Sequence, residues 1–192
     1  MPRTPLNASS VIDVAAQLAD REGLDSLSIA TLAEHLGVKS PSLYKHIDGL
    51  TGLRRELIVH AKSDLAAALA RSAVGRSRSQ ALKELAATYR SWAQQHPGTY
   101  PLTVIPADPE SPRDQQVSTE LVELLAAVLA GYHFQEDALI HAIRHVRAVL
   151  HGFVDLEARG AFALAVDVEV SFALALESLI VALEGQAPAT PR

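Results

Sequence analysis

Six polar side chains lie close together between residues 39 and 46 and could all point outward from one short helix and its flanks. They are Lys39, Ser40, Ser42, Tyr44, Lys45 and His46. Ammonium and hydroxyl groups donate hydrogen bonds to phosphates, and together with imidazole they can contact base edges in the major groove of DNA. This mixture predicts recognition of a nucleic acid. The alternative is the solvated face of an ordinary helical hairpin.

The element that must carry these side chains is a pair of short helices around a tight turn, over residues 28–47. Ser28 is a good N-cap, and Gly37 ends the first helix because glycine adopts a left-handed conformation at little cost. Ser40 and Pro41 then predict the N-cap and first residue of a second helix of about two turns. This is the layout of a helix-turn-helix.

Helical spacing predicts which side of the second helix is buried. Leu43 and Ile47 are four residues apart and are expected to face the core together with Val38. Tyr44 is expected to pack part of its ring inward and to turn its hydroxyl outward.

Further helices are predicted on both sides of this motif. An amphipathic helix precedes it, with Asn7 or Ser9 as the expected cap and Gly23 as the expected end. A long helix follows over residues 50–74 and stops at a polar stretch that begins at Gly75. Movement of the remaining chain could tilt the motif through this helix as a lever.

The N-terminal part of the chain resembles the DNA-binding domain of the tetracycline-repressor (TetR/AcrR) family of bacterial transcription regulators. The matching residues are Ala19-Asp20-Arg21-Glu22-Gly23, Leu27-Ser28, Leu32-Ala33, Leu36-Gly37-Val38, Ser42-Leu43-Tyr44 and His46. The chain differs from the family pattern at Ile47, where an aromatic is commoner, at Leu50, where a phosphate-contacting lysine often stands, and at Gly52. The resemblance implies a DNA-binding head followed by a domain that dimerises and binds a small effector.

The fold class expected for the whole chain is all-α, because no segment alternates convincingly at period two. Residues 1–49 are predicted to form the helix-turn-helix domain, residues 50–74 a joining helix, and residues 75–192 a C-terminal ligand-binding and dimerisation domain. Four prolines between Pro101 and Pro112 predict a short turn followed by an irregular loop.

Composition excludes several classes of function. The net charge is -5, but residues 1–62 are balanced, with seven Lys and Arg against seven Asp and Glu. The excess acid therefore lies outside the predicted head, and a globally basic DNA-coating protein is disfavoured.

The chain has no cysteine, which rules out disulfides and thiolate sites. No catalytic motif is present, so neither an enzyme nor a cofactor is predicted. The sequence has no apolar run long enough to span a membrane and no signal-peptide pattern, so the cytoplasm is the expected location.

The two C-terminal helices, predicted near residues 136–157 and 168–183, suggest a homodimer. The second is apolar on more than one side, so a partner subunit is expected to cover part of it in an intersubunit four-helix bundle. The predicted interface residues are Leu150, Phe172, Leu176, Leu179, Ile180 and Leu183. The alternative is a helix buried inside a monomer.

Aromatic residues of the C-terminal helices could enclose an apolar or aromatic effector, with a basic side chain orienting an anionic group. The candidates are Tyr89, Trp92, Tyr100, Phe134, Phe153, His141 and Arg144. Core packing of the aromatics is the alternative. Asp137, His141 and His145 have spacing that a metal could use, as do His151 and Asp155, but an ion-paired histidine face explains the same pattern and no metal is predicted.

The function predicted from these features is a DNA-binding transcription regulator, most simply a repressor that binds a palindromic operator as a homodimer and is released by an effector. The competing hypothesis is a helical small-molecule-binding or interaction protein that has lost DNA reading. The sequence identifies neither the effector, the operator, the regulated genes nor the sign of regulation.

Overall fold

The structure, a computed structural model, describes residues 6–187, and its regular elements are helical. They are α1 (Ala8–Glu22), α2 (Ile29–Leu36), α3 (Ser40–Leu43), α4 (Gly49–Ala73), α5 (Arg78–Gln95), α6 (Pro112–Leu129), α7 (Glu136–Ala158) and α8 (Val168–Gln186). Short 3-10 helices span Leu24–Ser26, Tyr100–Val104 and Ala130–Tyr132. Residues 6–187 contain no strand, so the predicted all-α class is confirmed.

The chain divides into two compact units. Unit 1 comprises residues up to Leu65 together with Gln95–Ser118, and unit 2 comprises Ala66–Gln94 together with residues from Thr119 onward. Unit 1 includes the proline-rich segment between α5 and α6 because this segment contacts the N-terminal helices, for example through the hydrogen bonds of Gly98 and Thr99 to Asp20. The predicted domain boundary at residue 75 stays a prediction. Proline content and polarity indicate where a helix stops, but they do not indicate what the resulting loop packs against.

Local sequence accounts for the ends of the first two helices. Asn7 caps α1, and its side-chain oxygen accepts a hydrogen bond from the Ser10 backbone N–H at 2.8 Å. Ser28 caps α2 in the same reciprocal way, since it accepts from the Thr31 backbone N–H at 3.1 Å while its own N–H donates to the Thr31 hydroxyl. Gly37 ends α2 in the left-handed conformation, at φ 64°.

Helix α3 is shorter than the sequence predicted. It spans Ser40–Leu43, a single turn, and the following residues form a turn in which the Ile47 backbone N–H still donates to the Leu43 carbonyl at 3.0 Å. Ser40 is not the N-cap, because Lys39 occupies that position and makes no side-chain capping bond. Leu43 and Ile47 are buried as expected, although the regular helix ends at Leu43.

The six side chains predicted for a dimer interface belong instead to the interior of the chain. Leu150, Phe172, Leu176, Leu179, Ile180 and Leu183 are all buried within one copy. The reason is that α8 packs its most strongly apolar stripe against its own chain, where α7 is a neighbour. The side of α8 that remains exposed is a different one.

By length and composition, no single helix among the described residues is long and apolar enough to cross a membrane. One pair, Pro112–Tyr132 with Glu136–Ala158, passes that test only when the two are taken together, and it is bent by 112° at its break.

Candidate nucleic-acid interface

The helix-turn-helix lies in unit 1, and buried apolar side chains pack its helices together. Val11, Leu18, Leu32 and Leu43 are completely buried. Helix α1 packs against α2, and α2 packs against α3. The short α3 is therefore fixed by tertiary contacts rather than by its own hydrogen bonds, which one turn of helix could not sustain alone.

Most of the six predicted contact residues lie on the outside of this motif. Lys39 and Lys45 are exposed, and Ser40 and Ser42 are half-buried. Tyr44 is 60% exposed, so most of its side chain faces outward. The reason is the end of regular helix at Leu43, after which Tyr44 lies in a turn.

The two lysines have no acidic partner within the described part of the chain. Neither Lys39 nor Lys45 forms an ion pair there, whereas several other basic side chains of unit 1 do. Their ammonium groups therefore remain available to an external anion. Such groups attract phosphate over about a Debye length, roughly 10 Å, so the net charge of the whole chain matters less than this local surface.

His46 is placed differently from the other five residues. It is half-buried and lines a groove of about 410 Å³ together with Ile47, Asp48 and residues of α1, α4 and α6. Its imidazole therefore lies at the edge of the exposed surface around α3 rather than at the centre. The groove also contains Glu56, paired with Arg113 at 2.9 Å, so its polar lining is mixed in charge.

The start of α4 explains one departure from the family pattern. A Cβ on Gly52 would lie 2.8 Å from the Cβ of Asp48, and the Gly52 backbone N–H donates to the Asp48 carbonyl at 2.9 Å. Glycine is therefore favoured by the tight entry into this helix. Leu50 is half-buried and offers no charge to a phosphate.

An ion pair that sequence reasoning missed connects α4 with α6 inside unit 1. Lys62 Nζ donates to Asp114 Oδ1 at 2.6 Å and to the Ser118 hydroxyl at 3.0 Å, and both members of the pair are nearly inaccessible. Burial alone would raise the pKa of Asp114, but the hydrogen bonds from Lys62 and from the Asp108 backbone N–H outweigh it and lower that pKa. In the sequence, this ion pair is indicated only by Lys62, which lies within the apolar stripe of the predicted long helix.

The predicted effector residues belong to both units. Tyr100 belongs to unit 1, whereas Tyr89, Trp92, Phe134 and Phe153 belong to unit 2. His141 and Arg144 are exposed on α7, because the apolar stripe of that helix takes the buried side. The two basic residues therefore do not lie on the buried side of α7.

The half-buried Phe153 ring contacts two other aromatic rings of the chain. Its centroid lies 4.8 Å from that of Phe162 and 5.0 Å from that of Phe172. The Arg90 guanidinium lies over the Phe172 ring and makes two hydrogen bonds to each of Glu157 and Glu169. These bonds raise the pKa of Arg90, although burial opposes them. This cluster joins α5, α7 and α8 and favours core packing for Phe153.

Helix α7 carries His141, His145 and His151, whose spacing a metal could use. Among residues 6–187, no three histidine or carboxylate side chains form a group that could hold a metal ion. Asp155, predicted to pair with His151, accepts a hydrogen bond from Arg159 at 2.8 Å, because arginine is permanently charged and lies one turn further along. That bond lowers the pKa of Asp155.

Two family models match the chain. The one described as "Bacterial regulatory proteins, tetR family" covers residues 11–56, and the one described as "Tetracyclin repressor-like, C-terminal domain" covers residues 82–179. With the helix-turn-helix described above, these matches define a helical DNA-binding regulator. The chain belongs to the TetR family of transcriptional regulators, as its resemblance implied.

Similar proteins support this assignment over most of the chain. The uncharacterized HTH-type transcriptional regulator YobS of Bacillus subtilis (strain 168) is 34% identical, over 93% of this chain and 93% of its own length. The uncharacterized HTH-type transcriptional regulator Rv0681 of Mycobacterium tuberculosis is 37% identical, over 81% of this chain and 72% of its own. The crystal structure of TetR-Q116A from Acinetobacter baumannii AYE in complex with minocycline is 25% identical and has a TM-score of 0.72. The likeness covers 96% of this chain and 100% of that one.

Proposed function

We propose that this regulator is a repressor that binds a palindromic operator as a homodimer and is released when a small molecule binds the C-terminal part of the chain. The observation that carries the proposal is the exposed surface around α3, where Lys39 and Lys45 have no acidic partner among the described residues. Lys45 and Ser42 are the residues that we assign to operator contact. Lys39, Ser40 and Tyr44 supply further donors, and His46 contributes from the edge.

The dimer that we propose uses the exposed side of α8. Val170, Leu174 and Val181 are 53%, 58% and 68% exposed, and their offsets of four and seven residues align them along one side of the helix. Exposed apolar side chains in such a row are typical of a protein interface. The proposed interface thus replaces the buried residues that the sequence suggested.

Charge supports pairing of α7 with α8 of the second copy. The exposed residues of α7 include Arg144 and Arg147, whereas those of α8 include Glu177 and Glu184. A two-fold axis brings the same two surfaces together twice, so each α7 can meet the α8 of its partner with opposite charges. Arg144 is therefore assigned to this interface rather than to an effector.

A two-fold dimer presents two identical heads, and their symmetry determines the kind of DNA site. Helix-turn-helix dimers read half-sites about one helical turn apart, roughly 34 Å from centre to centre. We therefore expect a palindromic operator.

The effector that we propose is an apolar or aromatic molecule near Tyr89, Trp92 and Phe134 of unit 2. The likeness to a TetR crystallised with minocycline supports a ligand of this kind. A ligand that binds better to the form with low DNA affinity weakens operator binding by that difference, typically about 1 to 3 kcal/mol. Removal of the repressor then permits transcription.

A gel shift at low salt tests the operator proposal, with duplex fragments from the region around the chain's own gene. The wild type is expected to retain one of them, and the double variant Ser42→Ala/Lys45→Ala to retain it much less. Lys83→Ala, which removes an exposed lysine from unit 2, is the matched control. If no fragment is retained, the helical small-molecule-binding alternative is favoured. If the double variant binds like the control, the assignment of Ser42 and Lys45 to operator contact is wrong.

Light scattering at micromolar concentration tests the dimer separately. We expect twice the chain mass for the wild type and for Val74→Glu, and a shift toward the monomer for Leu174→Glu, which buries a charge in the proposed interface. A monomeric wild type would contradict the dimer.

A further inference from the structure

The last turn of α1 carries a carboxylate in an unfavourable position for the helix itself. Asp20 lies in α1 (Ala8–Glu22), close to its C-terminus, where the helix dipole disfavours negative charge. Its side chain is nonetheless only 13% exposed. Its stabilisation must therefore come from outside the helix.

That stabilisation comes from the loop between α5 and the 3-10 helix that begins at Tyr100. Asp20 Oδ1 accepts hydrogen bonds from the Gly98 N–H at 3.0 Å, the Thr99 N–H at 2.8 Å and the Thr99 hydroxyl at 3.0 Å. The Nδ1 of His96 lies 2.9 Å from Asp20 Oδ2, and because an ionised carboxylate can only accept, we assign this nitrogen as a fourth donor. Hydrogen bonds to an ionised acceptor are the stronger kind.

The backbone of this loop also lies against α1 without room for a side chain. A Cβ on Gly98 would lie 1.9 Å from the Ala19 carbonyl oxygen and 2.8 Å from the Asp20 backbone nitrogen. Both are backbone atoms, which cannot move aside cheaply. We call the contact between Asp20 and residues 96–99 the α1 clasp.

The position of the α1 clasp along the chain gives it a role beyond stability. Its loop begins directly after α5, most of which belongs to unit 2, while Asp20 belongs to the helix that packs under α2 and the DNA-contacting residues. A displacement of residues 96–99 would therefore act on α1 through these hydrogen bonds.

We propose that Asp20 is a positioning residue for operator binding, which acts through the α1 clasp to make the arrangement of α1 and α2 depend on the segment that follows α5. The inference rests on the DNA binding proposed above. By thermodynamic linkage, a clasp that favours the DNA-binding arrangement must itself be strengthened when DNA binds.

Hydrogen exchange on the full chain provides the test, with the slowing at the clasp measured relative to amides of unit 2, because DNA binding also stabilises the fold as a whole. The probe is a duplex that the wild type retains in the gel shift. We expect the Gly98 and Thr99 amides to exchange at least threefold more slowly when the duplex is bound. Unchanged exchange at both amides would overturn the inference while leaving the proposed function intact.

Two variants test the same inference through affinity. Asp20→Asn and Gly98→Ala are expected to bind the duplex about tenfold more weakly, within the usual range of coupling between sites. Asp25→Asn, an exposed carboxylate near the end of the same helix, removes the same charge and should stay within twofold of the wild type. Equal affinity of Asp20→Asn and Asp25→Asn would refute the role of Asp20. Failure of the wild type to bind any duplex would instead refute the proposed function and this inference together.

Discussion

Replacement of Lys62 by methionine should strongly destabilise unit 1, because it leaves a buried carboxylate without its charge partner. The Lys62 and Asp114 side chains are 2% and 4% exposed, and their charged atoms are 2.6 Å apart. Removing one member of such a pair typically costs about 3 to 5 kcal/mol of unfolding free energy. Asp114 keeps the Asp108 backbone N–H, at 2.9 Å, and the Ser118 hydroxyl. We therefore expect a loss near the lower limit, about 3 kcal/mol.

The loss should depend on pH in a definite direction. In the wild type the pKa of Asp114 is lowered, so its stabilising contribution is complete above the unfolded-state pKa and disappears as pH falls through the folded-state value. In Lys62→Met the main lowering contact is absent, and burial raises the pKa of Asp114. The variant therefore gains a proton earlier on acidification, and its deficit should shrink between about pH 7 and pH 4.

Equilibrium unfolding in urea, followed by circular dichroism at fixed protein concentration, measures both effects. The double variant Lys62→Met/Asp114→Asn should recover about half of the loss, since Asn can still accept from the Asp108 N–H without carrying a buried charge. A deficit under about 1 kcal/mol for Lys62→Met, or one that grows as pH falls, would refute the reasoning.

Three further substitutions test individual contacts by the same unfolding measurement. Ser28→Ala removes the cap of α2 and should cost about 1 kcal/mol, whereas an unchanged midpoint would contradict the capping box. Arg90→Met leaves the half-buried Glu157 without its charge partner and should lower the unfolding free energy by about 2 kcal/mol. Glu169→Gln should lower it less, because Glu169 is largely exposed. The Tyr132 hydroxyl is buried and unpaired within the described residues, so Tyr132→Phe should stabilise by about 1 kcal/mol, and a clear loss would reveal a missed partner.

Local features of the fold could be predicted from the sequence because their causes lie within a few residues. Ser28 and Gly37 mark the ends of α2, and the spacing of Leu43 and Ile47 indicates which side is buried. These signals require only capping chemistry, glycine conformation and helical periodicity. They also place the exposed lysines around α3.

Features that depend on tertiary contacts could not be predicted in this way. Asp20 meets donors that are 76 to 79 residues away, and Lys62 meets a carboxylate 52 residues away. No periodicity connects such positions. The same limit applies to α8, where apolar residues were recognised on several sides but the side that the chain itself buries was not distinguished.

The salt dependence of operator binding tests the central claim most directly, namely that the exposed residues around α3 bind DNA through phosphate and base contacts. Affinity for a retained duplex is measured by fluorescence anisotropy over a range of salt concentrations. For Lys45→Ala we expect weaker binding and a slope of log affinity against log salt that is smaller by about 1 per head, while Lys83→Ala matches the wild type. A slope and affinity for Lys45→Ala equal to those of Lys83→Ala would contradict the account.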